Sequence, residues 1–497
     1  MQKTWESAPA LFYGLLFFLG TAFALVFHWS YFIPLILCLY SYRQKLIPGL
    51  LAWTLGALCA LLSYTLPDLK EEGVEGTGTF KIESVSYIQS PFQRSVQFKG
   101  ILKEFSTLKN VPCRIYFQEN KPRPLGSSDL TVSGQLIPKG HRHYVLKIKS
   151  LETLPTFRLA EWRFDLKNKL RSHLGLHFKD SKSRAFLLSM LTGDIDDRLL
   201  ALEFNRLGIL HLLGISGFQF ALLAFLFGAI FRLVFPYRIA TILLILFLTA
   251  YAFVLGDSPP IERAWVGITL YLTALLCGYR ISALNALGIA LIWQLVKDPL
   301  LIFHLGFQFS FLCTAAILVV YPLFRSWLAH VFPLRSFREA IRMPLLDQHG
   351  HLLSFFCREA LALNAAIHLA TLPLIFFHFH KFPVLSLLYN LFLPAAVSLV
   401  YLLLIIGVAF DATIPFLGSW IHLLNNGLTN LILKVATHPP ALYDFQWRIH
   451  DFSMTAAVTA ITLILGLESV YNFFKLGNRL LSILSESVHR FIKRARF

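Results

Sequence analysis

Long apolar runs joined by short basic loops make up most of the chain, and a hydrocarbon core ~30 Å thick takes about 20 apolar residues per helix. Runs of that order fall near 11-27, 46-66, 209-235, 239-256, 261-278, 300-320, 360-377, 383-410, 413-435 and 454-474. Two more, at 31-42 and 283-296, are shorter and suit tilted, re-entrant or covered helices. The pattern predicts a polytopic α-helical membrane protein of about 12 spans. No small-residue cleavage site closes the run Leu11 to Phe27, so it reads as a span and not as a removable signal.

The period changes after residue 66. Thr79-Val85, Arg94-Phe105, Cys113-Phe117, Leu130-Ile137 and Tyr144-Leu151 are β-rich and separated by Gly, Pro, Asn and Ser clusters. They predict about five antiparallel strands and an all-β, OB-like barrel over 67-157. Next, Leu159, Trp162, Leu166, Leu170 and Leu174 recur at helical spacing among Arg158, Arg163, Lys167, Lys169 and Arg171. That predicts an amphipathic interfacial linker over 158-206, with the lining of a polyanion path as the alternative. The expected order is N-terminal membrane helices at 1-66, the barrel, the linker, a membrane core at 207-474 and a basic tail at 475-497.

Composition agrees: 56% of residues are hydrophobic and only 15% charged, which excludes a soluble protein. The excess of 45 Lys and Arg over 28 Asp and Glu comes from basic loops, from a polyanionic partner, or from both. Loop charge gives an orientation. With Arg43 and Lys45 cytoplasmic, every second loop that follows is basic, at Arg232 and Arg238, Arg280, Arg325 to Arg342, and Lys475 to Arg496. Both termini are then expected in the cytoplasm, with the barrel outside the cytoplasmic (inner) membrane. Six cysteines without a CxxC pair, of which only Cys113 lies in a water-soluble stretch, exclude a disulfide framework.

Two regions carry candidate chemistry. Between Thr79 and Glu152 in the barrel segment, twelve basic side chains stand against five acidic ones, an excess of seven positive charges. Arg94, Lys99, Lys103, Arg114 and Lys147 are the candidate surface for a nucleic-acid backbone. Phe92, Phe98, Phe105, Tyr116, Phe117 and Tyr144 are interleaved with them, as stacking platforms or as core. The second region is Thr192-Gly193-Asp194 followed by Leu207 to Gln219. It places His211, Gly214, Ser216, Gly217 and Gln219 inside an apolar stretch, a composition suited to a broken helix facing a hydrated path or to close helix packing. Arg263, after Pro259-Pro260, is the cation placed to serve such a path, or else a helix-end arginine paired with Asp257.

The stretch Gly208 to Gly217 resembles the G-hydrophobic-x-HLLAISG signature of the ComEC competence proteins, with Gly214 in place of the usual alanine. The resemblance continues through Leu255-Gly256-Asp257-Ser258-Pro259, Glu262-Arg263-Ala264, Asp298-Pro299-Leu300, Gly306 to Phe311, Thr371-Leu372-Pro373 and Tyr389 to Pro394. It implies conduction of single-stranded transforming DNA across the cytoplasmic membrane, with Asp257, Gln308, Ser310 and Asn390 also on the path. Implied partners are single-stranded DNA, membrane lipids, a separate DNA receptor, a nuclease and cytoplasmic DNA-handling proteins. Two departures stand out. Gln219 occupies a position where the family commonly has a second histidine, and the HxHxDH cluster of the nuclease domain found in many relatives does not occur.

No cofactor or metal is expected. The HxH pairs His141/His143, His349/His351 and His378/His380 lack a following Asp-His, and residues two apart point apart on a strand. His211 and Ser216 make no GxSxG elbow, so catalysis is not expected either. Two other classes remain open: a secondary transporter for a small anionic solute, and a membrane DNA receptor that does not conduct. Driving force and oligomeric state are not legible.

Overall fold

The computed structural model describes residues 2–63, 73–89, 94–106, 108–118, 123–126, 128–139, 144–155, 159–256, 258–332, 335, 339, 341–438 and 445–466. Two compact units result, one from residues 1–58, 281–382 and 447–497, the other from 59–280 and 383–446. The membrane core expected as one block is therefore divided between them.

In the first unit, α1 (Gln2–Ser7) leads into α2 (Pro9–Val26), followed by α3 (Phe32–Ser41) and α4 (Leu46–Ser63). Glycine brings α2 against two other helices. A Cβ on Gly20 would lie 1.9 Å from the Trp53 carbonyl oxygen, and one on Gly56 would lie 2.1 Å from that of Phe17. Where no hydrophobic effect drives association, such backbone proximity supplies the packing.

The second unit begins with the barrel: β1 (Val74–Gln89), β2 (Arg94–Phe105), β3 (Leu108–Gln118), β4 (Ser128–Pro138) and β5 (Tyr144–Pro155). It closes in the order β1-β2-β3-β5-β4, with β1 also paired to β4 and with β3 and β5 parallel, so no edge is left open. Phe80, Phe98, Phe105, Leu130 and Val132 fill its interior. Burial pushes the Cys113 thiol up to about 12, so it packs as a small apolar side chain. Of the interleaved aromatic residues, Phe98, Phe105 and Tyr144 are core and Phe117 packs partly on it, leaving Tyr116 exposed; Phe92 lies outside the described residues.

After the barrel come α5 (Leu159–His177), α6 (Ser181–Thr192), α7 (Arg198–Arg206), α8 (Gly217–Val234), α9 (Tyr237–Leu255) and α10 (Pro259–Leu276). The first unit resumes with α11 (Ala283–Lys297), α12 (Leu305–Ala315), α13 (Tyr321–Val331) and α14 (Leu345–Phe379). Gly288 of α11 meets α2: a Cβ there would lie 2.3 Å from the Ala10 carbonyl carbon. The hairpin α15 (Leu385–Asp411) and α16 (Pro415–Thr437) returns to the second unit, and α17 (Met454–Gly466) is the last described helix.

Among the described residues, seven helices are long and apolar enough to span a membrane: Pro9–Val26, Arg43–Ser63, Leu210–Val234, Tyr237–Leu255, Leu305–Val331, Leu345–Phe379 and Leu385–Asp411. Trp29–Ser41, Ala283–Lys297 and Met454–Gly466 are apolar but shorter. The chain is a membrane protein. Among the described residues, helix occupies at least part of each expected span, while α10 and α16 carry polar residues such as Glu262, Arg263, His422 and Asn425.

Two expectations need correcting. The basic residues of α5 do not all meet water as on a simple interfacial helix: Leu159 and Trp162 are exposed and Leu174 is buried, while Lys167 is turned inward and only 6% exposed. Counted through twelve alternating spans, His173 lies outside and Asp411 at a cytoplasmic helix end. Their side chains are 2.7 Å apart, so they cannot lie on opposite faces of a bilayer.

Candidate functional site

The interrupted segment is built by four local signals. Gly193 ends α6 in the left-handed region at φ 75°, and Gly208, at φ 70°, follows the end of α7. A side chain at Gly208 would be strained, and its Cβ would lie 2.7 Å from Pro383 Cγ at the foot of α15. Leu210–Leu212 then forms one 3₁₀ turn, and α8 starts only at Gly217. The restart is a capping box: the Ser216 hydroxyl accepts the Gln219 N–H at 3.3 Å, and the Gln219 side-chain carbonyl accepts the Ser216 N–H at 2.7 Å. Gln219, where relatives commonly have histidine, thus starts the helix.

Arg263 reaches this helix start from α10. A Cβ on Gly217 would lie 2.7 Å from Arg263 Nη2, so the glycine leaves room for the guanidinium beside the first turn of α8. The positive end of a helix dipole and a cation in one place form an anion-attracting corner. His211 is exposed on the 3₁₀ turn, and no atom comes within 4 Å of a Cβ placed on Gly214, so this stretch has open space around it. Asn390 is half-buried on α15 in the same unit, whereas Asp257 lies outside the described residues. Gln308 and Ser310 belong to the other unit, where the Gln308 amide donates to the Ile302 carbonyl at 2.6 Å and contacts His378 at 2.8 Å.

The basic face of α5 adds a second layer of charge. Arg163 lies 4.9 Å over the Phe253 ring. Lys167 donates to both Asp194 oxygens at 3.1 and 3.0 Å and to the Leu255 carbonyl at 3.2 Å. Arg171 makes a two-pronged pair with Asp196 at 2.9 and 3.0 Å. Burial pushes the Asp196 carboxyl up to about 6, although Arg171 pulls it the other way. The cations at positions 167 and 171 are therefore matched by the acids at 194 and 196.

On the barrel, Lys99, Lys103 and Lys147 are exposed and Arg114 is half-buried; the Arg94 side chain lies outside the described residues. Lys99 and Arg114 are direct cross-strand partners, two like charges side by side, a disposition that an anion would stabilise. Tyr116 stands two residues along β3 beside Gln97, at 3.5 Å, and is the exposed ring on this patch.

A further group escaped the sequence reading. His173, His177, Asp411 and His422 gather their donor atoms within 4.8 Å of one another. The HxxxH spacing at 173 and 177 on a helix was the available signal, since it places both rings on one face.

The arrangement sets a helix start beside a cation. Comparison with known proteins agrees with its sequence signature. The family model "Competence protein" matches residues 192–470. The "ComE operon protein 3" of Bacillus subtilis (strain 168) is 28% identical over 325 residues, covering 60% of this chain and 37% of that relative. The chain thus spans well under half the length of this curated relative. No solved structure matches. The family match takes in the whole interrupted segment, Arg263 and both helices of the hairpin, more than half of the chain, and the chain belongs to the ComEC family of competence proteins.

Proposed function

We propose that this protein serves competence DNA uptake by conducting single-stranded DNA across the cytoplasmic membrane, with the barrel receiving the strand outside. The observation that carries this reading is the α8 start at Ser216-Gly217 with the Arg263 guanidinium beside it. A phosphate chain entering a low-dielectric region needs fixed donors and cations, since an unmatched charge there costs several kcal/mol, on the order of 3 or more. The helix start at the break supplies the positive end of its dipole, and Arg263 places a guanidinium beside it. The like-charged pair Lys99 and Arg114 on the barrel, next to exposed Tyr116, suits a strand whose phosphates and bases both need partners.

The same helix-start chemistry would hold a small anionic solute, which is the competing reading. Entry of labelled DNA into a strain lacking this protein separates the two. Loss of passage beyond the inner membrane, with capture at the surface intact, supports conduction. Normal passage refutes it. Loss of capture itself would instead mark the protein as a receptor.

A further inference from the structure

We propose that His173, His177, His422 and Asp411 form a binding site for a zinc-class dication that staples α5 to the hairpin of α15 and α16. Asp411 Oδ2 stands 2.7 Å from His173 Nε2, 2.8 Å from His422 Nε2 and 3.4 Å from His177 Nε2. Three imidazole nitrogens thus converge on one carboxylate oxygen. That oxygen carries about two lone pairs and shares a single charge, too little to satisfy three ring N–H donors. A dication resolves the crowding, because each neutral ring then gives a lone pair to the metal. Tetrahedral zinc, with bonds of ~2.0–2.1 Å, sets its ligand atoms about 3.3 Å apart, so the two short contacts open by about 0.5 Å while pairs now as much as 4.8 Å apart draw in by up to about 1.5 Å. Three nitrogen ligands and one oxygen suit zinc and its neighbours and not magnesium or calcium, which take oxygen sets.

The surroundings are shaped to fit. A Cβ on Gly407 would lie 2.7 Å from His422 Cε1, and one on Gly418 would lie 2.1 Å from Asp411 Oδ1, so both glycines make room for ligand side chains. The His177 and His422 rings are 4.4 Å apart between centroids. His422 is 2% exposed while the His173 side chain is 34% exposed, which leaves an entry path on the α5 side. The ligands come from positions up to 249 residues apart in the chain, as His422 and His173 are numbered, and a metal would join the helix that follows the barrel to the helical core.

The test uses the purified full-length chain, stripped with chelator and titrated with Zn²⁺ alone, then with Co²⁺ as a coordination probe. About one zinc per chain is expected, with the strong visible bands of tetrahedral cobalt. The double variant His173→Ala/His177→Ala and the single variant Asp411→Asn should each weaken zinc binding at least tenfold and remove the zinc-dependent rise in Tm. His349→Ala/His351→Ala should change nothing. No uptake at micromolar zinc by the unaltered protein, or equal uptake by the double variant, overturns the proposal. If the variants do not fold, the cobalt spectrum of the unaltered protein decides: without tetrahedral bands the cluster is a hydrogen-bonded one only.

Discussion

Ser216 and Gln219 cap α8 reciprocally, each side chain accepting the other residue's backbone N–H, at 3.3 and 2.7 Å. Position 219 therefore works through a hydrogen bond that needs no proton exchange. Gln219→Ala removes one arm of the box and should cost about 1 kcal/mol. A Tm drop of a few degrees with no new pH dependence of uptake is expected, and a pH-dependent loss would speak against the capping role.

Gly217 faces the Arg263 guanidinium, the movable end of a long side chain. Gly217→Ala should be tolerated, because Arg263 can shift by a few tenths of an ångström. Gly217→Leu fills the corner and should abolish DNA passage while protein level and surface capture stay normal. His211→Gln should be milder than His211→Leu, since only the former keeps hydrogen-bonding atoms on the exposed turn. Normal uptake by both Gly217→Leu and His211→Leu would remove this segment from the path.

Asp196 gives a pH signature. Its carboxyl sits at about 6 in the folded protein against an ordinary 3.8, raised chiefly by burial. The folded state thus holds this proton more tightly than the unfolded chain does. The stabilisation is full below about pH 4 and is lost as pH rises through about 6, an effect on the order of 3 kcal/mol. Thermal unfolding of the unaltered protein should therefore gain on Asp196→Asn as pH falls from 7 to 4.5. A constant difference between the two would contradict the raised value.

The barrel can be tested as a fragment of residues 73–155, whose strands close on themselves. It should bind single strands weakly, without sequence preference, and lose affinity steeply with salt. Lys99→Gln with Arg114→Gln should lower the log–log salt slope by about 1.4. Binding that ignores salt would leave the barrel a structural module.

Orientation is checked by reporter fusions. A periplasm-active reporter after Lys121 should be active, and one after Arg338 silent. Because His173 touches Asp411, a fusion after Thr413 should match the side reported at Lys179. Opposite sides at these two positions would break the contact on which the metal site depends.

Local rules made much of this protein legible in its sequence. The apolar runs became helices because a run of span length in hydrocarbon satisfies its own backbone groups as a helix, and the alternating segments between residues 74 and 155 became five strands. Gly193, Gly208 and Ser216 announced the broken helix for local reasons too, since positive φ and a capping oxygen are properties of single residues. Tertiary structure decided what depends on distance in the chain. Phe98 and Phe105 sit among the same basic residues as Tyr116, yet barrel closure alone puts the first two inside and the third outside. Lys167 and Arg171 looked like an interfacial face until α5 turned them onto Asp194 and Asp196. Charge alternation along the loops could not show that Asp411 returns to His173, because a loop-charge rule carries no information about which helices pack together. His173 and His177 are visible as a pair in the sequence, but only the packing of α5 on the hairpin brings Asp411 and His422 to them.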